Sequence, residues 1–357
     1  MSAVGVIAFT RRYWKCRCGE AGAYAADALL GIEGQRFSKI VQKHTCRLGA
    51  DNSFAATSAH LHALLGIDLC PETVRTMVEG HGRALARFQT QDQQSARAFA
   101  EAAGDVEFAV DAGKVNTREE GWKDLKIAVA CKREAGTPTA PETPAAWHEN
   151  RLPRATTSLA FATIATAHDF RRLWRPWLRR LGVNCFVGVH ALGDGAGWIW
   201  KAVQRCLTGC TQTLDFFHAC QYLNECAEEI FGGDTPEKDD AFKDGRTLLA
   251  QQGWQGVCRW IGQLLSTDDD QERERRRRAS EKVIKYFVAH LKRLNYAECL
   301  QNGRAIGSGM VEGRAKTLGL RLKLRGARWN QSNVTPMASL VCVRQTCEWD
   351  AYWTMAA

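Results

Sequence analysis

The chain has 357 residues, of which 45% are hydrophobic and 24% charged, and this balance excludes global disorder and fibrous repeats. No run of 18 uncharged apolar residues occurs, so a membrane-spanning helix is not expected, and residues 1–9 lack the basic start of a secretory signal. The net charge is a mild +9, and the length predicts two or three domains.

The positive charge is concentrated in one stretch. Residues 271–330 hold 16 Lys/Arg and five Asp/Glu, a net charge of +11, against −2 for the rest of the chain. Two interpretations remain open from the pattern alone: a solvated helix face, or a surface that binds phosphates.

The fourteen cysteines are mostly scattered singly through apolar stretches. Without a secretion signal, this predicts buried reduced thiols, as at Cys131, Cys185, Cys206, Cys220 and Cys258. Cys16 and Cys18 form half a zinc site at best, which His44 with Cys46, or His60 with His62, would have to complete. The spacing does not require this, so we do not expect structural zinc at Cys16 and Cys18.

Residues 20–100 have the composition and apolar spacing of helices. Two of them meet at residues 67–74, where Pro71 occupies the first position of the second helix. This junction is compatible with a helix-turn-helix and equally with the corner of a helical bundle.

A strand-rich block follows. Residues 106–110 predict a strand closed by a turn at residues 111–113, and residues 125–131 and 158–166 predict two more strands. Residues 136–153 read as a surface loop. Residues 168–181 predict a helix, and residues 183–192 a long apolar strand that ends before Asp194. This alternation indicates an α/β layer fold.

A helical block follows Gly195. Its predicted helices cover residues 198–206, 216–231, 239–250, 254–265 and 273–294. Ser308 is predicted to open a final helix that carries Glu312 and Lys316.

Three carboxylates stand where metal ligands are expected. Asp111 and Asp194 each follow an apolar strand, and strand ends in α/β sheets face the ligand crevice. Glu312 lies early in a helix inside the basic stretch. Magnesium prefers such oxygen ligands, and a carboxylate set of this kind serves two-metal phosphoryl transfer. The alternative is that Asp-Gly sequences simply form turns.

Further candidates surround these carboxylates. Asp215 and His218 form an Asp-x-x-His element at the start of a predicted helix, where Asp215 is also a suitable N-cap. Basic residues that follow Glu312 are candidates for contacts to a polyanion such as DNA, and one tryptophan is suited either to stacking on a base or, as is more common for a single tryptophan, to a place in the core. These residues are Arg314, Lys316, Arg321, Lys323, Arg325, Arg328 and Trp329.

Five collinear segments resemble the DDE transposases of bacterial insertion sequences, most closely the ISKra group. They are residues 111–117 (DAGKVNT), 121–126 (GWKDLK), 192–200 (LGDGAGWIW), 214–219 (LDFFHA) and 306–313 (IGSGMVEG). Residues 321–329 also resemble that group, and the resemblance runs from about Arg12 to Glu348.

This resemblance implies an α/β fold with an RNase H-like mixed sheet flanked by helices and interrupted by an all-helical insertion. The implied regions are a helical N-terminal region at 1–100, the first part of the core at 101–200, the insertion at 201–303 and the last part of the core at 304–357. Asp111, Asp194 and Glu312 would be the catalytic metal-binding triad, and Asp215 with His218 the signature found after the second aspartate in related transposases.

The implied activity is DNA transposition by a mobile element, through Mg²⁺-dependent strand cleavage and strand transfer, with Mn²⁺ as a substitute. The implied partners are double-stranded DNA, as terminal repeats and target, and further copies of the chain in a synaptic complex. No membrane partner is expected, and the expected location is the bacterial cytoplasm at the nucleoid.

Two departures from the group are visible. Ala112 stands where the first motif usually has glycine, and related chains extend further ahead of the Arg12 region, so the end-recognition domain is expected to be incomplete. The alternatives are an RNase H-like nuclease that cuts without joining, an inactive DNA-binding derivative of a transposase, and a helical scaffold that binds RNA.

Overall fold

The computed structural model describes residues 36–139 and 152–355 continuously, together with isolated positions between residues 10 and 27. Within this part of the chain lie five strands and fourteen α-helices. The strands are β1 (Asp105–Thr117), β2 (Gly121–Arg133), β3 (Thr157–Ile164), β4 (Val189–Gly193) and β5 (Thr211–Leu214). The helices are α1 (Lys39–Gly49), α2 (Phe54–Leu65), α3 (Pro71–Gln91), α4 (Gln94–Glu101), α5 (Ala167–Arg180), α6 (Gly197–Cys206), α7 (Phe216–Phe231), α8 (Pro236–Gln252), α9 (Trp254–Leu264), α10 (Asp270–Val288), α11 (Tyr296–Gln301), α12 (Gly309–Leu322), α13 (Gln331–Arg344) and α14 (Glu348–Met355).

The fold is mixed α/β, as the sequence predicts, and is built on one five-stranded mixed sheet of order β3-β2-β1-β4-β5. Strands β1, β2 and β3 pair antiparallel, whereas β4 and β5 run parallel to β1. The strands with parallel neighbours therefore share an edge at which their carboxyl ends meet.

Helices cover both faces of the sheet, and each face has its own hydrophobic cluster. One cluster joins alternate residues of β1 and β2, such as Phe108 and Ala128, to helices α5–α11. The other joins the intervening residues, such as Ala109 and Ile127, to α1–α3 and α12–α14. Successive strand residues point to opposite faces, so both clusters use the same two strands. The helices near the two ends of the chain thus share one core.

Local sequence explains several helix boundaries. Ser53 caps α2, which ends at Gly66 in the left-handed conformation (φ 61°), and Pro71 opens α3 as predicted. Asp215 is the N-cap of α7, and the bounds of that helix match the prediction.

The predicted turn after residue 110 is wrong. β1 continues through Asp111 to Thr117 and pairs with β2 along its whole length in a long hairpin. Gly113 has no positive φ, so the Asp-Ala-Gly sequence is extended backbone rather than a turn. Asp111 therefore lies inside a strand, just beyond the point where parallel pairing with β4 ends.

Other predicted bounds also change. The long strand expected at residues 183–192 shrinks to the five residues of β4, because the chain leaves α5 through Gly182 (φ 84°) and a loop that exposes Val187. The four residues of β5 lie inside the segment assigned to an all-helical insertion, so the sheet continues past residue 200. The helix that carries Glu312 is not the last, since α13 and α14 follow it.

The predicted loop at residues 136–153 lies mostly outside the described residues, as does Cys16. Cys18 is disulfide-bonded, and Cys46 is a buried free thiol. Cys131, Cys206 and Cys220 are buried free thiols as expected.

Cys185 and Cys258 are free thiols as predicted, but they are exposed, so their predicted burial is wrong. Both belong to stretches whose apolar neighbours pack inward while the thiol faces out. Within the described part of the chain, no helix has the length and apolar character needed to cross a membrane.

Candidate active site at the sheet edge

Three aspartates stand in a row where the parallel strands end. The last parallel pair of β1 and β4 lies two residues before Asp111 and Asp194. The last pair of β4 and β5 lies one residue before Asp194 and Asp215. The same register, continued to these residues, sets the three aspartates side by side on neighbouring strands. The parallel register therefore concentrates negative charge at this edge of the sheet.

Backbone donors fix one oxygen of each of the first two carboxylates. Asp111 Oδ1 accepts a hydrogen bond from Ala112 N at 2.6 Å, and Asp194 Oδ1 accepts one from Ala196 N at 2.9 Å. The Trp200 indole donates to the Asp194 carbonyl at 2.7 Å and secures the loop. Burial raises the pKa of Asp111, and the nearby Asp194 carboxylate raises it further. Both side chains keep a second oxygen without a hydrogen bond in the described part of the chain.

Glu312 reaches the same edge from helix α12, which packs across β1 and β2. It lies in the first turn of that helix, and half of its side chain is exposed. Burial of the remainder and the negative charges of Asp215 and Asp111 raise the pKa of Glu312, while His218 opposes this shift. The Asp111 carboxylate thus interacts electrostatically with Asp194 on one side and with Glu312 on the other.

The tightest group of ligand-type side chains is a different one. Among the described residues, one set of three offers ligand atoms that all lie within 4.8 Å of one another, and it consists of Asp215, His218 and Glu312. Asp111 and Asp194 are not members of it. The sequence predicted all five residues near the site, but it did not predict that Asp215 and His218 would be the nearest neighbours of Glu312.

His218 supplies a positive charge among these carboxylates. Its Nδ1 lies 3.6 Å from Asp215 Oδ1 and 3.7 Å from Glu312 Oε1. The Asp215 carboxylate, with the charges of Asp194 and Glu312, raises the pKa of His218 to about 9. The imidazole is therefore a cation at neutral pH, and its charge offsets part of the repulsion between the acidic groups.

Two residues of the site are missed by sequence reasoning. Ser308 donates from both N and Oγ to Asp215 Oδ2, at 2.5 and 2.6 Å. Tyr286 of α10 packs on Gly195, where no side chain would fit, and stacks on Tyr222 with ring centroids 3.7 Å apart. A glycine directly after Asp194 was the available signal for close packing, but nothing in the sequence pairs it with a residue 91 positions later.

The predicted DNA-contacting residues divide into two sets. Arg321 and Trp329 are buried, so their surroundings give no support to the prediction that they contact DNA. The Arg321 guanidinium packs against the rings of Phe54 and Trp329, 5.0 and 4.9 Å from their centroids, and donates to the carbonyl of Gly49 at 2.7 Å. These contacts make Arg321 and Trp329 part of the core beneath the loop of residues 323–330 that joins α12 to α13, called here the basic loop.

The other basic residues of this stretch stay accessible. Lys316, Lys323, Arg325 and Arg328 are exposed and have no carboxylate partner among the described residues, while Arg314 is half-buried and donates to Gln345. A groove of about 630 Å³ lies beside Arg325 and Arg328. Its walls include Arg75, Arg118, Arg325 and Arg328 as well as Glu72 and Glu79.

Helix α10, the other half of the basic stretch, offsets part of its positive charge with its own glutamates. Arg275 and Arg276 pair with Glu272, and Arg277 and Arg278 pair with Glu274. These pairs are spaced three or four residues apart and are typical of a solvated helix. The interpretation as a solvated helix face therefore fits α10, while phosphate binding by the other half of the stretch stays a prediction.

No protein-family model and no curated protein matches this chain. The functional argument therefore depends on the geometry of the site and on the sequence motifs.

Proposed function

We propose that the chain is a DDE-type DNA transposase that cleaves DNA at the ends of a mobile element and transfers the strand to target DNA. The observation that carries this proposal is the register that brings Asp111, inside β1, next to Asp194, directly after β4, with Glu312 close enough to Asp111 for their charges to interact. A mixed sheet followed by the long helical segment α7–α11 supports the RNase H-like core with an insertion that the motifs imply.

The carboxylate set suits magnesium. Its donors are oxygens, and the pKa values of Asp111 and Glu312 are raised because charge is crowded and partly buried, a cost that a divalent cation would relieve. Asp111, Asp194 and Glu312 would hold Mg²⁺, or Mn²⁺ in its place. When bound, such ions supply Lewis acidity at the attacking and leaving oxygens of a phosphoryl transfer.

The residues of the chain contribute orientation and charge. The amides of Ala112 and Ala196 hold one oxygen of Asp111 and of Asp194, which leaves the other free for a ligand. The His218 cation limits repulsion between Glu312 and the aspartates. Preorganised charges of this kind lower the cost of charge that develops in a transition state.

A DNA-binding surface lies next to the β1–β2 hairpin. The hairpin turn is fastened to the basic loop, since Arg118 N donates to the Trp329 carbonyl at 2.9 Å and Trp329 N donates to the Asn116 carbonyl at 3.1 Å. These two hydrogen bonds hold the loop that carries Arg325 and Arg328 against the hairpin. Unpaired arginines at fixed positions favour phosphate contacts.

Trp122 adds an aromatic surface to the same hairpin. It stands opposite Asn116 in the β1–β2 pairing and is 60% exposed. An exposed indole beside basic residues is suited to stacking on a base or packing on a sugar. We propose that this hairpin and the basic loop hold duplex DNA, with further copies of the chain holding the second element end.

The test is cleavage of labelled DNA that carries the sequences flanking the chain's own reading frame, with and without Mg²⁺. Wild type is expected to cleave only with the ion, and Asp194→Asn or Glu312→Gln to lose at least about a hundred-fold in rate with DNA binding retained. Asp239→Asn, an exposed carboxylate on α8, is the control and should cleave normally. Wild-type cleavage by Asp194→Asn would exclude the triad.

The alternative nuclease function uses the same carboxylates and differs only after cleavage. A transposase joins a precut 3′ end to target DNA, whereas a nuclease does not. Joining product from precut ends would support the transposase, and cleavage without joining would support the nuclease.

A further inference from the structure

Asp215 has a role that the motif alone does not assign. Its side chain is fully buried at the N-cap of α7, where Oδ1 accepts from His218 N at 2.8 Å. Its other oxygen, Oδ2, accepts from the backbone N and the Oγ of Ser308. Ser308 directly precedes α12, and Glu312 lies in the first turn of that helix. One carboxylate therefore connects the start of α7 to the start of α12. The two residues that are bonded, Asp215 and Ser308, are 93 positions apart in the chain.

Neighbouring contacts reinforce this connection. Phe216 N donates to the Ile306 carbonyl at 2.9 Å, and the Phe217 ring packs on Gly307 so closely that a Cβ there would lie 2.8 Å from it. Asp215 N in turn donates to the Gly193 carbonyl at 2.8 Å, at the end of β4. The segment that leads into α12 is thus fixed to the strand that precedes Asp194.

The alternative role for Asp215 is that of a metal ligand, since it belongs to the tight group with His218 and Glu312. A carboxylate offers about four acceptor positions. Three donors already occupy the two oxygens of Asp215, and the side chain has no exposed surface. Glu312, by contrast, is half exposed and its oxygens accept no hydrogen bond within the described residues.

We propose that Asp215 is a positioning residue that sets Glu312 relative to Asp111 and Asp194 by clamping the N-terminus of α12. The consequence for metal binding rests on the proposed function, whereas the clamp itself does not. Asparagine in place of Asp215 offers one acceptor oxygen, so in either orientation of its amide the donors at one of the two helix starts, His218 N or Ser308, meet an NH₂ group instead of an acceptor. Asp215→Asn therefore breaks the clamp with almost no change in volume.

The first measurement is hydrogen exchange of residues 308–313 in the full chain, without metal or DNA. Asp215→Asn is expected to speed exchange at the Ser308 amide and in the first turn of α12, and Ser308→Ala to do so less strongly because the backbone bond remains. Thr235→Ala is the matched control, since it removes an N-cap bond to Lys238 N in α8, away from the carboxylates. It should leave residues 308–313 unchanged.

The second measurement is Mn²⁺ binding to the chain alone by calorimetry. Residues that orient a ligand typically change metal affinity about 10–100-fold. We expect Asp215→Asn to weaken Mn²⁺ binding within that range, Ser308→Ala to weaken it less, and Thr235→Ala to leave it unchanged. A ligand role for Asp215 predicts instead that Asp215→Asn weakens Mn²⁺ binding well beyond that range, because a ligand and not its support is changed.

The outcomes separate the two proposals. Unchanged exchange at residues 308–313 in Ser308→Ala and Asp215→Asn would overturn the clamp, whatever the chain does to DNA. Faster exchange and weaker Mn²⁺ binding would support it even if the wild-type chain failed to cleave, and that failure would count against the transposase alone. If Asp215→Asn does not fold, the result for Ser308→Ala decides.

Discussion

At the scale of single residues, the main feature is the balance of charge at one sheet edge. Asp111, Asp194 and Asp215 follow one another across three parallel strands, and Glu312 faces them from α12. Carboxylates that are close together and partly buried repel one another, so they need hydrogen-bond donors or a cation nearby to stabilise their negative charges. Backbone amides, the Ser308 hydroxyl and the His218 cation provide this stabilisation in this chain.

The environment of His218 predicts how the free energy of unfolding depends on pH. Its folded-state pKa of about 9 lies above the usual value of 6.5 because of Asp215 first, then Asp194 and Glu312. The stabilisation from the protonated imidazole is therefore complete below about pH 6.5 and is lost as the pH rises through about 9. Partial exposure limits its size to about 1 kcal/mol.

The measurement is the free energy of unfolding of wild type and His218→Gln from pH 5.5 to 10, without divalent cations. The difference should be largest at low pH and decrease as the pH rises through about 9. His62→Gln is the control, since His62 pairs with Asp68 at an exposed site far from the carboxylates. A difference that grows with pH would contradict the assignment of His218 as a cation.

At the scale of elements, the basic stretch separates into a self-paired helix and an unpaired loop. In α10 the arginines contact glutamates one turn away, whereas Arg325 and Arg328 in the basic loop have no acidic partner among the described residues. Ion pairs within a helix reduce the charge that a phosphate would meet. Only the loop should therefore contribute phosphate contacts.

This difference predicts how DNA affinity depends on salt. The slope of log K against log[salt] is negative, and each lost phosphate contact reduces its magnitude by about 0.9. Arg325→Ala/Arg328→Ala should therefore reduce the magnitude by about 1.8. Arg277→Ala/Arg278→Ala removes the same net charge from α10 and should leave the slope near that of wild type. The measurement is binding to one duplex at several salt concentrations, and equal changes in both double variants would contradict a specific role of the loop.

Elements also show what the sequence could predict. The helix at residues 216–231 and its Asp215 cap follow from apolar spacing and capping chemistry, which act locally. The continuation of β1 through Asp111 depends on pairing with β2, and β5 is too short and polar to be recognised without its neighbour β4. The burial of Arg321 likewise depends on the ring of Phe54, a residue far away in the chain.

The same distinction applies to the candidate site. Asp111, Asp194, Glu312, Asp215 and His218 were identified from strand ends and motifs, because their residue types and order carry the signal. The connection of Asp215 to Ser308 was not, since a hydrogen bond over 93 residues leaves no periodic pattern.

At the scale of the whole molecule, helices near opposite ends of the chain support one face of the sheet. α3 packs along α13, and both belong to the hydrophobic cluster that also contains Val311 and Leu318 of α12. The helix that carries Glu312 is thereby supported by elements from the first and last parts of the sequence. We expect the described part of the chain to unfold as one cooperative unit.

Two glycines in α3 provide a test of this packing. A Cβ on Gly82 would lie 2.7 Å from the carbonyl oxygen of Pro336 in α13, a backbone atom that cannot move aside as a flexible side chain would. A Cβ on Gly80 would meet nothing within 4 Å. Gly82→Ala should therefore lower the free energy of unfolding by about 1–3 kcal/mol through overpacking. Gly80→Ala should raise it by about 0.5–1 kcal/mol, because alanine is the better helix former.

The measurement is urea unfolding of wild type and both variants, followed by far-ultraviolet circular dichroism and by tryptophan fluorescence. The two signals should change together, with one midpoint for each protein, since α3 and α13 share a core with the sheet. If Gly82→Ala were as stable as Gly80→Ala, the close approach of α3 to α13 would be refuted. Separate midpoints for the two signals would show instead that the helices at the two ends of the chain unfold independently of the sheet, and Glu312 would then lack the support that this packing provides.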